Sequence, residues 1–547
     1  MATVQWLKNG LYPIVGLSCL MMITIVEAQT APSKARGAAT MQLGKMRFPT
    51  SCLPQAQVVF NKGAALLASF QYELSRTAFA EVARKDPHCA MAYWGQAMSL
   101  YHPLWAWPNA QTLQRGHSDM DTAERLGAKT NRERAYVQAG AIYFQDSATN
   151  TAARAIAYSD AMANLHRRYP QDNNGAALYA LSLIAVRSPD KAANMSRRMR
   201  AIDILKALYL KEPDNPGVAH YLIHATDTPE LAHLGLNAAR RYAAIAPEAP
   251  HALHMPSHIF TELGMWRESI RSNLASAAVA EKNTKSGVDN ESGDQIHALR
   301  FLQYAYLQTG RNADARRIIN EIKRVPGASA EDITNNQSML QAAYFEETHD
   351  WQEASTLVPD PDSYPMIQVL AYAVRAIGEA RTGDVAGAST DIERLREATE
   401  AMEAAMKGMG MTGGMEHTDE TPTELEAQAW LAFPAGKPAE AIAKMKTAAE
   451  RGGSSMRMSG LPGVPAREML GDLLLELHRP LEALVAYQSV LQVAPNRFDS
   501  LCGEARAARL AGNIAAAKDY FAQLERVCGS DADRVDLKLA DPPPDAT

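Results

Sequence analysis

A helical pattern recurs along this chain at intervals of 33 and 34 residues. Apolar residues return at helical spacing almost throughout, as in 481–495, and no stretch alternates polar and apolar residues for the length of a strand. The segment 482–496 is echoed 33 residues later by 515–529, and Pro213 and Pro247 close amphipathic segments 34 residues apart. A repeat of this length is one helix pair that buries its apolar face against its neighbours. The sequence therefore predicts an all-α stack of helix hairpins.

Near the start of the chain, one hairpin shows the marks of a known repeat. Phe79 is followed by Pro87 eight residues later, and the next helix carries Trp94 and Gly95. With the period, these marks make the chain similar to the tetratricopeptide-repeat superfamily over most of its length. The resemblance implies a right-handed α-solenoid of tetratricopeptide-like hairpins with a concave groove. It implies little about activity, because the fold serves many functions.

The first residues have the composition of an export signal. Lys8 precedes an apolar run from Leu11 to Val26, and a small-residue site ends at Ala28. The run has 16 residues, whereas a membrane-spanning helix needs about 20. A retained membrane anchor is the alternative interpretation. We therefore expect a periplasmic or secreted protein that contacts a membrane only through an uncleaved signal segment.

Composition divides the chain into five segments. The signal peptide is followed by a linker, an N-terminal array that carries most of the histidines, a C-terminal array, and a disordered tail that ends in a proline-rich stretch. The predicted boundaries are 1–28, 29–50, 51–330, 331–530 and 531–547.

Charge and cysteine content narrow the classes of partner and site. The net charge of −6 comes without a basic block, so we expect no nucleic-acid partner. Outside the signal, the even number of cysteines permits two disulfides in an exported protein. The nearest pairings are Cys52–Cys89 and Cys502–Cys528, although the sequence leaves the connectivity open. The two pairs lie at opposite ends of the chain, which argues against a thiolate metal site.

Seven of the fourteen histidines lie between His220 and His297. His220 and His224 are four residues apart, which places them on one helical face. His254 and His258 repeat this spacing 34 residues later. Pro213 and Pro247 each close a repeat, and we number them position 32. Both histidine pairs then fall at positions 5 and 9 of the repeats that begin after these prolines. Each pair is thus able to chelate a metal ion from one face of a helix.

Two further histidines fall into the same register, at position 2 of a repeat. One is His251, and the other is His297 if Gly310 is the turn glycine at position 15. In the resembled superfamily, positions 2, 5 and 9 of the first helix face the groove, and packed helices run about 8–10 Å apart. We therefore predict a transition-metal site in the groove. Its candidate ligands are His220, His224, His251, His254, His258 and His297.

The histidine segments also resemble a group of bacterial secreted or periplasmic tetratricopeptide proteins with "HYxIHA", "HMPSHI" and "HxxxFL" motifs. The resemblance supports treating the histidines as one set, and it transfers no activity. Within "HMPSH", Pro256 either starts a helix or kinks one. The nearest carboxylates that can orient the ligands or complete the shell are Asp227, Glu262 and Asp294.

A methionine-rich loop bears on the identity of the metal. Neutral imidazoles suit copper, zinc, nickel and iron, whereas thioether sulfur favours Cu(I). A glycine-rich stretch contains Met409, Met411, Met415 and His417, a composition that core packing explains poorly. Copper is therefore the favoured ion, with zinc or iron as alternatives.

Three functions remain open on the sequence alone. The first is an exported protein that binds a transition metal, with copper favoured, for metal handling or for metal-dependent oxidoreductase chemistry. The second is a metal-free scaffold that recognises a peptide, protein or small molecule in its concave groove. The third is a hydrolase or lyase that uses the histidines as acid and base. The sequence contains no nucleotide-binding loop, serine-hydrolase elbow or zinc-protease motif, so no catalytic residue is assigned.

Overall fold

The computed structural model contains helices and no β-strand in the residues that it describes. Those residues are 41–104, 108–145, 151–288, 291–408, 420–452, 461, 463–534 and 537. Contacts join the chain from Gln42 onward into one unit. In the described part of the chain, no helix is both long and apolar enough to cross a membrane.

The helices of the first half lead up to the histidine-rich region. They are α1 Pro54–Ala68, α2 Tyr72–Lys85, α3 Ala90–Met98, α4 Ala110–Leu126, α5 Asn131–Phe144, α6 Thr151–Arg168, α7 Asn173–Ala185, α8 Lys191–Lys211, α9 Pro216–Thr226, α10 Ala232–Ile245, α11 Pro250–His254, α12 Pro256–Glu262 and α13 Trp266–Lys285.

The helices of the second half continue the series, with short 3-10 segments at Ile322–Arg324 and Gly529–Asp531. They are α14 Ser292–Gln308, α15 Asn312–Glu321, α16 Ala330–Thr348, α17 Trp351–Ala354, α18 Pro365–Thr382, α19 Val385–Gly408, α20 Pro422–Ala432, α21 Pro438–Arg451, α22 Ala466–Glu476, α23 Pro480–Leu491, α24 Phe498–Leu510 and α25 Ile514–Cys528.

Successive helices pack as hairpins, and the hairpins stack. Each helix contacts the next, and the first helices of neighbouring hairpins also contact one another, as in α7 with α9, α14 with α16, and α18 with α20. The buried apolar side chains fill the space between the layers. The predicted all-α solenoid is thus confirmed. The predicted division into two arrays stays a prediction.

Two contacts between distant helices position the histidine region. The end of α1 packs against α9, and α14 packs against α24. The turn at Gly264 passes so close to the second half that an added Cβ would lie 2.0 Å from the carbonyl oxygen of Pro495, so only glycine fits there. Trp266 donates a hydrogen bond from its indole nitrogen to the carbonyl of Asn496, 2.7 Å away. These contacts hold the two halves together beside the histidines.

The segments on either side of the helical array also pack against it. Leu43 and Phe48, in the segment predicted as a linker, are buried. At the other end, Asp533 accepts hydrogen bonds from the first backbone amides of α15, and Arg534 is buried against Asp499. The described contacts therefore continue a few residues beyond the helices at both ends.

A disulfide joins Cys52, just before α1, to Cys89, just before α3. Cys502 and Cys528 are buried in one hydrophobic cluster between α24 and α25, and their pairing stays a prediction. The predicted signal peptide lies outside the described residues, and so does the soft-metal loop of Met409, Met411, Met415 and His417.

Candidate metal centre

The structure brings the six predicted histidines together as two groups of three. In each group, one nitrogen from every ring lies within 4.8 Å of the others. The first triad consists of His220, His224 and His251. The second triad consists of His254, His258 and His297. The sequence predicted the set of six, but it did not predict this division.

The division follows the repeat. Each triad takes positions 5 and 9 from one first helix and position 2 from the next. α9 contributes His220 and His224, and His251 from α11 completes their triad. One repeat later, α11 and α12 contribute the pair and α14 contributes His297. The second triad is therefore a structural repetition of the first.

The helix between the members of the second pair is interrupted at Pro256. α11 ends at His254 and α12 begins at Pro256, because proline has no amide hydrogen to continue the helical ladder. Met255 between them keeps right-handed helical dihedral angles, with φ −52° and ψ −35°. The helical hydrogen bonding is thus interrupted while the backbone at Met255 stays helical. His254 and His258 still face one another across the break.

In the second triad, the outer nitrogens of two rings are committed as donors. His258 donates from Nδ1 to Oδ2 of Asp227 at 2.9 Å. His254 donates from Nδ1 to Oδ1 of Asn273 at 2.7 Å, because the Asn273 amide nitrogen is used in a bond to the carbonyl of Ser269. In a neutral imidazole whose Nδ1 donates, Nε2 carries no hydrogen. These two Nε2 atoms lie 3.0 Å apart.

The first triad repeats this arrangement with different partners. His220 donates from Nδ1 to the carbonyl oxygen of Ala68, at the end of α1, over 2.7 Å. Its Nε2 lies 3.1 Å from Nε2 of His251. Nδ1 of His251 is 3.9 Å from Oδ1 of Asp294, which is longer than a hydrogen bond. Asp294 also accepts a 3.3 Å hydrogen bond from Gln71.

Each triad has its own phenylalanine, whose ring packs against all three imidazoles. Phe70 lies with its ring centroid 4.3, 5.6 and 5.7 Å from those of His220, His224 and His251. Phe301 lies 4.7, 4.6 and 5.2 Å from the rings of the second triad. The apolar rings exclude water from one side of each triad and fix the planes of the imidazoles.

Phe70 holds this place through an uncommon backbone conformation. Its φ is +57°, in the left-handed region that a bulky residue rarely adopts. The hairpin turns at Gly264 and Gly310 use glycine for this conformation. A left-handed non-glycine residue costs roughly 1–3 kcal/mol and is often found at functional sites. Here the turn aims both the Phe70 ring and the Ala68 carbonyl at His220.

Burial keeps five of the six rings uncharged. Burial, together with the neighbouring His258, lowers the pKa of His220 to about 3, against the opposing effect of the hydrogen bond to the Ala68 carbonyl. Burial also lowers the pKa of His224, His251, His254 and His297 well below the usual value, and neighbouring histidines add to the effect. These five rings are therefore neutral at pH 7. Neutral imidazole is the form that binds a metal ion.

The structure also places the three predicted carboxylates. Asp227 and Asp294 lie beside ligand rings of the second and first triad, and Glu262 is buried at the end of α12. Sequence reasoning missed Asn273, which has no distinguishing pattern. It also missed the contributions of Ala68, Phe70 and Phe301. A third possible group, formed by Cys52, Asp86 and Cys89, is excluded as a thiolate site because its sulfurs are joined in the disulfide.

No family model and no curated protein matches the sequence. Among solved structures, human IFIT1 dimer with m7Gppp-AAAA aligns at 11% identity and a TM-score of 0.33, over 85% of this chain and 95% of that chain. The P58(IPK) TPR domain aligns at 11% identity and a TM-score of 0.24, over 84% of this chain and 98% of that chain. Likenesses at these scores carry no argument about this chain. They do not confirm the expected absence of a nucleic-acid partner.

Proposed function

We propose that this protein binds transition-metal ions through its two histidine triads, with copper as the favoured ion and zinc or iron as alternatives. The observation that carries the proposal is the pair of Nε2 atoms of His254 and His258, 3.0 Å apart. Both rings use Nδ1 as a donor, so two lone pairs point at one another.

Two facing lone pairs repel unless a cation lies between them, and that cation is a proton or a metal ion. A proton is shared by two nitrogens, whereas each triad assembles three. Two nitrogens bound to one tetrahedral metal at about 2.0–2.1 Å lie about 3.3 Å apart. The separations of 3.0 and 3.1 Å in the two triads are close to that value. The geometry therefore favours a metal ion.

The partners of the outer nitrogens support the same proposal. Histidine ligands usually donate their other N–H to a carboxylate or a carbonyl, which fixes the ring and raises its basicity. Asp227, the Asn273 side chain and the Ala68 carbonyl serve this purpose for three of the six rings. A merely structural histidine pair has no need of lone pairs directed toward a common point.

Imidazole donors and the order of metal affinities favour copper, since divalent copper binds nitrogen sites more tightly than the other first-row divalent ions do. Three histidines leave one tetrahedral position for another ligand. We therefore propose metal-dependent oxidoreductase chemistry as the use of the site, with metal handling as the simpler function. Export, proposed from residues 1–28, is supported by the Cys52–Cys89 disulfide, since disulfides persist in oxidising compartments.

Metal analysis of the purified protein tests the proposal. Wild-type protein that is reloaded with copper and then desalted is expected to retain the copper. The double variant His254→Ala/His258→Ala is expected to lose the ion of the second triad. The matched control is His117→Ala/His233→Ala, which removes two exposed histidines elsewhere and leaves the retained copper unchanged. Background copper in correctly folded wild-type protein would reject copper as the ion, and background zinc and iron after the same reloading would reject metal binding and leave a metal-free groove scaffold.

A further inference from the structure

We infer that the two triads form one dinuclear centre, in which two metal ions share a small bridging anion such as hydroxide or azide. The inference rests on the proposed metal binding and adds the number of ions, their relation and the class of ligand they take. Neither the repeat pattern nor the positions of the six histidines predicted this dinuclear centre.

The two triads are in direct contact. The ring centroids of His224 and His258, which belong to different triads, are 6.3 Å apart, and so are those of His251 and His254. Within the triads the larger separations are similar, at 6.2 Å for His224 with His251 and 6.0 Å for His258 with His297. Rings of different triads are therefore as close together as rings that share one ion.

Each triad is a complete site for one ion. It offers three imidazole nitrogens, which is the protein contribution in many catalytic metal sites. Because both triads occupy the same positions of successive repeats, their donors are equal in kind and number. Two ions of the same metal therefore fit better than one ion shared by six rings.

The phenylalanines limit the sides from which a further ligand can reach each triad. Phe70 contacts the rings of the first triad, and Phe301 contacts those of the second. Each apolar ring covers a side of its own triad and offers no donor. The side on which His224 and His251 meet His258 and His254 is lined by the ligands of both ions. A ligand bound there touches both metals.

The charges around the centre favour an anion at that position. The carboxylates of Asp227 and Asp294 lie beside ligand rings. Two cations also lie beside the triads, since Arg198 donates to the His224 carbonyl at 3.1 Å and Arg300 is buried one helical turn after His297. The charges of these four side chains sum to zero, and the buried Glu262 at the end of α12 adds one negative charge. Two divalent ions on neutral imidazoles then need a negative bridging ligand.

Copper content and electron paramagnetic resonance test the dinuclear centre together. Wild-type protein loaded with Cu(II) and desalted is expected to hold two ions per chain, with most of the resonance signal lost because a bridged pair couples its spins. The matched variants His251→Ala and His297→Ala each remove the position-2 ligand of one triad. Each is expected to keep one firmly bound ion with its full signal, and far-ultraviolet circular dichroism checks the fold.

Azide, the probe for the bridging ligand, is then titrated into the copper-loaded wild type and followed by its absorption band. Saturation at one azide per two copper ions supports the bridge, and saturation at one azide per copper ion overturns it. Two ions with a full resonance signal also overturn the bridge. One ion per chain rejects the dinuclear centre but leaves the proposed metal binding intact. No copper at all rejects both.

Discussion

Two buried polar clusters lie along the first helices of this solenoid, and they differ in how their hydrogen bonds are satisfied. In the second half, Arg497 donates to Glu468, Glu347 and Tyr304 over 2.8–2.9 Å. Each of these four side chains meets a partner of opposite charge or opposite hydrogen-bonding role. In the second triad, the Nε2 atoms of His254 and His258 face one another at 3.0 Å, and both rings already use Nδ1 as a donor to another partner.

The contrast is the one expected between a structural cluster and the proposed binding site. A buried ion network whose charges are paired with one another holds helices together and offers no open position to a ligand. A group of hydrogen-bond acceptors that outer hydrogen bonds hold toward one point has no donor of its own. It is satisfied only when a cation binds between the acceptors. Four predictions, from the largest expected effect to the smallest, test this difference.

Acid is expected to destabilise the metal-free protein most. Burial holds the pKa of His220 at about 3, and other triad histidines are lowered in the same direction. Above about pH 6.5 the histidines are neutral in both the folded and unfolded states, so they contribute no pH dependence. Below it the unfolded state binds protons first, and the free energy of unfolding falls by up to about 1.4 kcal/mol per pH unit for each such histidine.

Urea unfolding of the metal-free protein measures this loss of unfolding free energy. The pH is varied from about 7.5 to about 5, a range that brackets the usual histidine pKa of about 6.5. The His254→Ala/His258→Ala variant is expected to have a shallower dependence than the wild type. Equal slopes in the two proteins would show that the second triad is not held neutral by the fold.

Removal of Arg497 is expected to have the next largest effect. Arg497→Ala leaves Glu347 and Glu468 buried without their cation, which costs about 3–5 kcal/mol of stability. Urea unfolding of the metal-free variant gives the change. Copper content per folded chain is expected to stay at the wild-type value. A loss of copper from protein that is still folded would show that the two clusters are coupled.

Copper is expected to stabilise the wild-type protein by mass action. At a free concentration a hundredfold above its dissociation constant, one bound ion adds about 2.7 kcal/mol to the free energy of unfolding. Denaturant unfolding with and without buffered copper measures the gain. The gain should shrink in His254→Ala/His258→Ala and persist in His117→Ala/His233→Ala. An equal gain in all three proteins would place the copper elsewhere.

The smallest effect concerns two turns with the same backbone conformation. His478 is exposed in a left-handed turn with φ +57°, so His478→Gly is expected to stabilise the protein by about 1 kcal/mol without changing copper binding. Phe70 has the same φ, but its ring packs on the first triad. Phe70→Gly is therefore expected to lose stability, as thermal unfolding of both variants will reveal. A gain in both would mean that Phe70 is only a turn residue.

The sequence predicted the fold and the six histidines because both depend on periodicity. Helical spacing and a 34-residue repeat place His220 and His254 at the same point of successive hairpins. The division into triads was not predictable, since it depends on which ring of the next repeat turns toward each pair. The roles of Asn273 and the Ala68 carbonyl also depend on packing between distant helices. At Pro256, the sequence left a helix start and a kink open, and in the structure a new helix begins there after a residue with helical dihedral angles.

The most direct test of the account is a crystal structure of the copper-loaded protein, with anomalous scattering recorded at the copper absorption edge. The account predicts a strong anomalous peak in each triad, with His254 and His258 bound to one ion through Nε2 at about 2.0–2.1 Å. Rings that keep their outer hydrogen bonds while the anomalous density lies only at surface sites would contradict it.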